Sequence, residues 1–260
     1  MPPEPKTLFP VQLVGAGPGA ADLLTLRAAR AIEGAEALLY DALVGEDILA
    51  MAPRACLKIQ TGKRAGRPSM RQETINRLMI RLARRGLRVV RLKGGDPSIF
   101  GRVGEEAQAL RQHGLAAEIV PGVTAACAAA AQFGLPLTHR GVARRVVMAT
   151  ATTQDGELTI DWAAAADPEA TLAIYMGARA APEIARRLIA AGRSPETPVA
   201  IVENASAPSA SLKLTTLARQ AAAAAGRDGA APALILVGDA LAASAAWTGA
   251  EGLEALAGAA

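Results

Sequence analysis

Apolar and polar positions along the chain follow two periods. Short apolar runs that end in glycine, aspartate or proline are read as strands: Val11–Val14, Ala37–Tyr40, Leu87–Leu92 and Ala117–Val120, then Arg145–Thr150, Thr171–Met176, Val199–Glu203 and Ala233–Val237. Segments with helical spacing lie between them. Leu24–Ile32 is the first. A second is opened by Ser69 with Gln72 three residues on, carries Ile75, Leu78, Met79 and Leu82 on one face, and stops at Gly86. Gly104–Gln112, Pro182–Ala191 and Thr215–Ala225 complete the set. Strand and helix alternate from end to end. This predicts an α/β fold with mostly parallel or mixed sheets and helices on their faces.

Length and breakers divide the pattern. The chain has 260 residues, enough for two domains of about 120 each. Pro121 to Pro136 is rich in small residues and breakers, so the expected units are 1–122 and 123–245, with a Gly/Ala-rich, frayed tail at 246–260.

Composition narrows the partners. Apolar residues make up 51% and charged residues 20%, which supports a sizeable core and argues against disorder. Aromatics are only 3%, too few for the base-stacking platforms of single-strand binders, so no nucleic-acid partner is expected. The net charge of +4 comes mostly with arginine, whose planar fork suits carboxylates and phosphates. Cys56 and Cys127 lie far apart without metal-ligand spacing, so no metal or disulfide is expected, and the setting is read as a reducing cytoplasm. The longest uncharged run, Ile119 to Thr138, is interrupted by Pro121, Gly122, Gly134 and Pro136; no membrane partner is expected. No secretory leader is read in the Pro-rich first ten residues.

Three strand-end loops carry the candidate chemistry. Gly15-Ala16-Gly17-Pro18-Gly19-Ala20, with Asp41 about twenty residues on, nearly satisfies a dinucleotide fingerprint. Pro18 and Gly19 break the chain before helical spacing begins near Leu24, so the loop reads as wider than a diphosphate cradle, or as a plain tight turn. Arg91 to Arg102 holds Gly94, Gly95, Asp96 and Pro97. Its glycines permit close backbone approach, and Asp96 can accept from a ribose hydroxyl or an amine, or simply initiate a turn. Pro121-Gly122-Val123-Thr124-Ala125 follows a strand and leads into a helix that Thr124 can cap.

Taken in order with Tyr40-Asp41, Gly62-Lys63-Arg64-Ala65-Gly66, Pro136 to Gly141 and Tyr175-Met176-Gly177, these stretches resemble the uroporphyrinogen-III C-methyltransferases of the tetrapyrrole methylase family, from about Val11 to Gly238. Three stretches depart from the family pattern: Thr150-Ala151-Thr152, Gly101 to Glu106, and Arg67 in place of a histidine. The resemblance implies two α/β domains with S-adenosylmethionine in the cleft between them. It also implies a homodimer and methylation of uroporphyrinogen III at C2 and C7, giving precorrin-2 and S-adenosylhomocysteine. The cofactor contacts it implies are Pro18, Gly94, Gly95, Asp96, Ile99, Thr124, Ala125, Met176 and Ala205. Asp41 and Lys63 are its acid/base candidates and Glu105 a further proton acceptor, while Arg102, Arg140 and Met176 would meet the polycarboxylated ring.

The chemistry suits those residue types. A methyl sulfonium is already electrophilic, so proximity and an in-line pose matter most. Alkylating a pyrrole carbon leaves a cationic ring that must lose a proton, which calls for a carboxylate. The plainer readings are a surface ion pair for Arg102 and Glu105, a surface lysine for Lys63, and core packing for Met176. Rival functions are a methyltransferase acting on a later corrin precursor, a nicotinamide-dependent oxidoreductase using the Gly15–Ala20 loop, and a binding protein without chemistry. The expected organisation is a stand-alone methyltransferase. Sirohaem, cobalamin and haem d1 are the pathways that the implied product, precorrin-2, would feed.

Overall fold

The computed structural model describes residues 8–62, 70–151, 158, 160–223 and 231–247. The chain divides into two compact units at Thr124/Ala125, two residues beyond the boundary expected from the breakers.

The first unit holds β1 (Val11–Gly15), α1 (Leu26–Glu33), β2 (Ala37–Tyr40), α2 (Glu46–Ala50), β3 (Leu57–Gln60), α3 (Gln72–Arg84), β4 (Val89–Lys93), α4 (Val103–Gln112) and β5 (Ala117–Val120). Its sheet has the order β3-β2-β4-β1-β5, and every pairing is parallel. Side-chain alternation sends the two faces to different helices. Val14, Leu38, Val90 and Leu92 pack with Ala28, Ala31 and Ile32 of α1 and Ile48 of α2. Val11, Leu13, Leu39 and Val89 pack with Ile75, Met79 and Leu82 of α3 and Ala107 and Leu110 of α4. In β4 the same alternation turns Arg91 and Lys93 toward the α3/α4 face, and both are buried.

Parallel strands put all five carboxyl ends on one edge. The connection from β1 runs to β2 on one side, and that from β4 runs to β5 on the other. The neighbouring ends of β1 and β4 therefore form the switch point at which open α/β sheets receive ligands.

The second unit holds α5 (Ala125–Phe133), β6 (Arg145–Thr150), α6 (Trp162–Ala165), β7 (Ala170–Tyr175), α7 (Ala181–Ala190), β8 (Pro198–Glu203), β9 (Ser211–Thr216), α8 (Leu217–Ala222) and β10 (Ala233–Val237). Its sheet, β6-β7-β10-β8-β9, is mixed: β6 and β7 are parallel, and the other pairings are antiparallel. Both β7 and β8 run opposite to β10, so β6, β7 and β8 end on the same edge. Leu172, Ile174, Val199 and Ile201 face α7 and α8. Ala173, Ala200, Val202 and Leu236 face α5.

Several details differ from expectation, the short helices α2 and α6 among them. The strands β3 and β9 were not foreseen. Both are edge strands with half-exposed residues, so neither carries a strong apolar run. The helix expected from Thr215 begins at Leu217, because Thr215 and Thr216 still pair with β8 and Thr216 then accepts the Arg219 N–H as a cap. The residue preceding α3 is Arg71, with no side-chain cap; Ser69 lies outside the described residues. Among the described residues, no helix is long and apolar enough to cross a membrane.

Candidate active site

The loops at the β1, β4 and β5 ends lock onto one another. Gly17 and Gly95 exchange two backbone hydrogen bonds, Gly95 N–H to Gly17 O at 2.7 Å and Gly17 N–H to Gly95 O at 3.2 Å. Asp96 ties the third loop in. Its Oδ1 accepts from the Ser98 N–H at 2.8 Å and from the Ser98 hydroxyl, and its Oδ2 accepts from the Gly122 N–H at 2.9 Å. Burial raises the Asp96 carboxyl, but these bonds from Ser98 and Gly122 outweigh it and hold the group below the ordinary carboxylate range.

Glycine is required here by the approach of backbone to backbone. A Cβ on Gly15 would stand 2.7 Å from Gly122 Cα and from Gly95 O, and one on Gly122 only 2.3 Å from Gly95 O. Part of the pattern that resembles a dinucleotide loop thus serves to nest three loops together. A turn at Ala21–Leu23 follows, and α1 begins only at Leu26, capped by Thr25, whose hydroxyl accepts the Ala28 N–H. Helix α1 therefore starts well past the glycines, where the Pro18-Gly19 break placed it. Gly94 behaves differently: it is exposed, and a Cβ there would meet only the Leu43 side chain, at 3.8 Å. This leaves an open backbone surface next to the switch point. Pro18, Gly95, Asp96, Ile99 and Thr124 are all half-buried around it.

Beside these loops lies a buried ionic cluster. Arg91 is 3% exposed, Lys93 3% and Glu106 0%. The Arg91 guanidinium uses all three nitrogens: Nε donates to Glu106 Oε1 at 3.1 Å, Nη1 to Leu92 O at 3.2 Å and Nη2 to Asp41 Oδ1 at 2.6 Å. Lys93 Nζ donates to both Glu106 oxygens at 3.0 Å, and Gln72 Nε2 to Oε1 at 3.1 Å. Burial pushes the Lys93 ammonium below its ordinary range, and the Arg91 charge pushes the same way, while the carboxylates of Glu106 and Asp41 oppose them. Asp41 follows β2, and its side chain is one-third exposed. The Thr61 hydroxyl lies 3.2 Å from the same Oδ1 and 3.0 Å from Tyr40 O, and its one proton is shared between them.

The remaining expected residues are placed as follows. Arg102 and Glu105 form an exposed pair, Nε to Oε1 at 2.8 Å and Nη2 to Oε2 at 2.6 Å; the bond from Arg102 holds Glu105 below the ordinary carboxylate range. Arg102 has a positive φ of 56°, as does Phe100 at 53°, on either side of Gly101, where a Cβ would stand 2.5 Å from Pro97 O. Such backbone costs about 1–3 kcal/mol per residue and tends to gather at functional sites. Lys63 lies outside the described residues.

In the second unit, Met176 directly follows β7 with φ 56° and is 58% exposed, so it is not a core residue. Asn204 and Ser206, with φ 51° and 68°, flank half-buried Ala205 just after β8, on the same sheet edge. Ala125 is half-buried at the start of α5, whose Ala126 N–H donates to the Tyr175 hydroxyl at 3.2 Å. Arg140 is exposed in the turn from His139 to Ala143.

Glu106, Arg91 and Lys93 are functional candidates beyond Glu105, the glutamate expected from the resemblance. A usable signal was present. Val103, Glu106, Ala107 and Leu110 share helical spacing, which sets a glutamate on the apolar face of α4. Two cations in the buried run Val-Val-Arg-Leu-Lys answer it from β4.

A parallel sheet with nested Gly-rich loops at its switch point, a carboxylate fixed beside them and a mixed second sheet define a two-unit α/β protein with a candidate small-molecule site. The chain belongs to the family of tetrapyrrole (corrin/porphyrin) methylases, whose model matches residues 10–222. It is 46% identical to a sirohaem synthase of Azotobacter vinelandii over 90% of this chain and 51% of that protein. The chain spans about half the length of the curated relatives it matches. Among solved structures, the uroporphyrin-III C-methyltransferase of Thermus thermophilus superposes with a TM-score of 0.77 at 40% identity, covering 90% of this chain and 94% of that one. A second form of the same enzyme, complexed with S-adenosylhomocysteine, superposes at 0.76, with 89% and 93% covered. A cobalt-precorrin-4 methyltransferase superposes equally well, at 0.77, but with 29% identity, over 89% of this chain and 95% of its own.

Proposed function

We propose that the chain transfers methyl groups from S-adenosylmethionine to C2 and C7 of uroporphyrinogen III, giving precorrin-2 and S-adenosylhomocysteine. The observation that carries the reading is the locked set of β1, β4 and β5 loops with Asp41 held beside it, in a chain 40% identical to a uroporphyrin-III methyltransferase over nearly its whole length. The lower identity to the cobalt-precorrin-4 enzyme favours the early substrate over a later corrin.

The bound cofactor supplies an electrophilic methyl on sulfur. The open backbone at Gly94 and the half-buried Pro18, Gly95, Asp96, Ile99 and Thr124 are the groups assigned to hold it. Asp96 retains a free lone pair on Oδ2 for a hydroxyl or amine, its other bonds being spent on bracing the loops. In each transfer a carbon–carbon bond forms at the ring, the carbon–sulfur bond breaks, and the ring cation then loses a proton. Asp41 is the base assigned to accept it, with Lys63 as its acid/base partner. Arg102 and Arg140 are assigned to the substrate carboxylates, Met176 to the ring, and Ala125 and Ala205 to the cofactor. Glu105, an exposed partner of Arg102, is the alternative proton acceptor. The assembly proposed is a homodimer, acting in the cytoplasm.

Calorimetric titration with S-adenosylhomocysteine and with NAD tests the cofactor class. The first is expected to bind at a one-to-one ratio and the second not at all. Binding of NAD alone would return the Gly15–Ala20 loop to its dinucleotide reading.

A further inference from the structure

We propose that Arg91 is a positioning residue for Asp41. Held from behind by the buried Glu106, it fixes one oxygen of the Asp41 carboxylate and leaves the other to meet substrate. The inference rests on the reading of Asp41 as the base.

The geometry is specific. Arg91 spans two carboxylates of opposite character: Glu106, fully buried on α4, and Asp41, one-third exposed at the carboxyl end of β2. Its third nitrogen is pinned to Leu92 O, so the guanidinium plane is set by three acceptors from β4, α4 and the β2 end. Arg91 Nη2 donates to Asp41 Oδ1, which also lies 3.2 Å from the Thr61 hydroxyl, whose one proton it shares with Tyr40 O; among the described residues, Oδ2 takes no hydrogen bond. A lysine at position 91 has one ammonium where arginine has a planar fork, and it cannot hold both carboxylates at these distances.

Glu106 has no exposed surface with which to touch a ligand, and four donor contacts consume it. A carboxylate buried this completely is costly unless paired. Its evident effect is to hold two cations under the edge where Asp41 stands. Lys93 completes the support: its Cε lies 3.2 Å from where a Cβ on Gly101 would sit, so the cluster also underlies the strained Phe100-Gly101-Arg102 turn.

A double-mutant cycle separates positioning from plain structural support. Initial rates of methyl transfer to uroporphyrinogen III are measured for the parent, Arg91→Lys, Asp41→Asn and the double variant, with thermal melts confirming the fold. Arg91→Lys is expected to lower kcat by about tenfold or more, with KM for S-adenosylmethionine nearly unchanged. In the Asp41→Asn background the same exchange is expected to change kcat by less than about twofold. Thr61→Val, isosteric and directed at the same Asp41 oxygen, gives a second cycle should Arg91→Lys fold poorly, and a smaller coupling of the same sign is expected because Tyr40 O competes for the hydroxyl. Equal losses in both backgrounds overturn the proposal and leave the function standing. An Asp41→Asn enzyme as fast as the parent removes Asp41 as base and this proposal with it, as does a parent that does not methylate at all.

Discussion

Glu105 and Glu106 are neighbours on one helix turn, yet they live in different media. Glu105 meets Arg102 in water, where an ion pair contributes roughly 0–1 kcal/mol. Glu106 meets Arg91 and Lys93 without water, where removing one partner strands the others and costs about 3–5 kcal/mol. Glu106→Ala is therefore expected to lower unfolding free energy by about 3–5 kcal/mol, and Glu105→Ala by less than about 1 kcal/mol, read from urea denaturation. Equal small losses would mean the cluster is not buried as described.

The exposed arginines call for a different measurement. Arg102→Ala and Arg140→Ala are each expected to weaken tetrapyrrole binding about ten- to a hundredfold, while S-adenosylhomocysteine affinity stays unchanged by calorimetry. Arg102 must first leave Glu105, so its effect belongs at the lower end. Glu105→Gln is expected to slow turnover only if Glu105 takes the proton. If it merely holds Arg102, turnover stays and tetrapyrrole binding tightens.

At the scale of elements, the nesting of three loops is the feature most exposed to a single atom. Gly122→Ala drives a Cβ to 2.3 Å from Gly95 O, and Gly15→Ala drives one to 2.7 Å from the same atom. Overpacking of this kind costs about 1–3 kcal/mol or more. Each variant is expected to lower Tm and to weaken S-adenosylhomocysteine binding; Gly94→Ala, which meets only a side chain at 3.8 Å, is expected to spare Tm and affect binding alone. Asp96 adds a pH dependence. Its folded pKa lies below the unfolded value of about 3.9, so its contribution to stability is complete above that value and is lost as pH falls through the folded pKa. Melting curves taken from about pH 5 downward are expected to fall less steeply for Asp96→Asn than for the parent.

Most of the elements were legible in the residues because their central strands are buried on both faces and read as unbroken apolar runs. The edge strands β3 and β9 were not, since half-exposed strands dilute that signal. The site was legible in part. Asp41, Asp96 and the glycines sit in loops whose special residues stand out against apolar strands. The buried cluster was hidden because Arg91, Lys93 and Glu106 come from two elements, and their charges make sense only once α4 packs on β4. Local sequence also could not reveal that part of the glycine pattern answers to Gly122, more than a hundred residues from Gly15.

At the scale of the whole molecule, the all-parallel first sheet and the mixed second sheet each gather their unusual residues on one edge: the nested loops in one, Met176, Asn204 and Ser206 in the other. The proposed homodimer is checked by multi-angle light scattering at micromolar concentration. Twice the mass of the chain is expected; the single-chain mass would remove the dimer from the account. Uroporphyrinogen III is incubated anaerobically with S-adenosylmethionine and the protein, and the tetrapyrrole is analysed by mass spectrometry. A dimethylated product is expected, with S-adenosylhomocysteine accumulating at two equivalents per tetrapyrrole; unmodified uroporphyrinogen beside active controls would show that the protein does not catalyse this reaction.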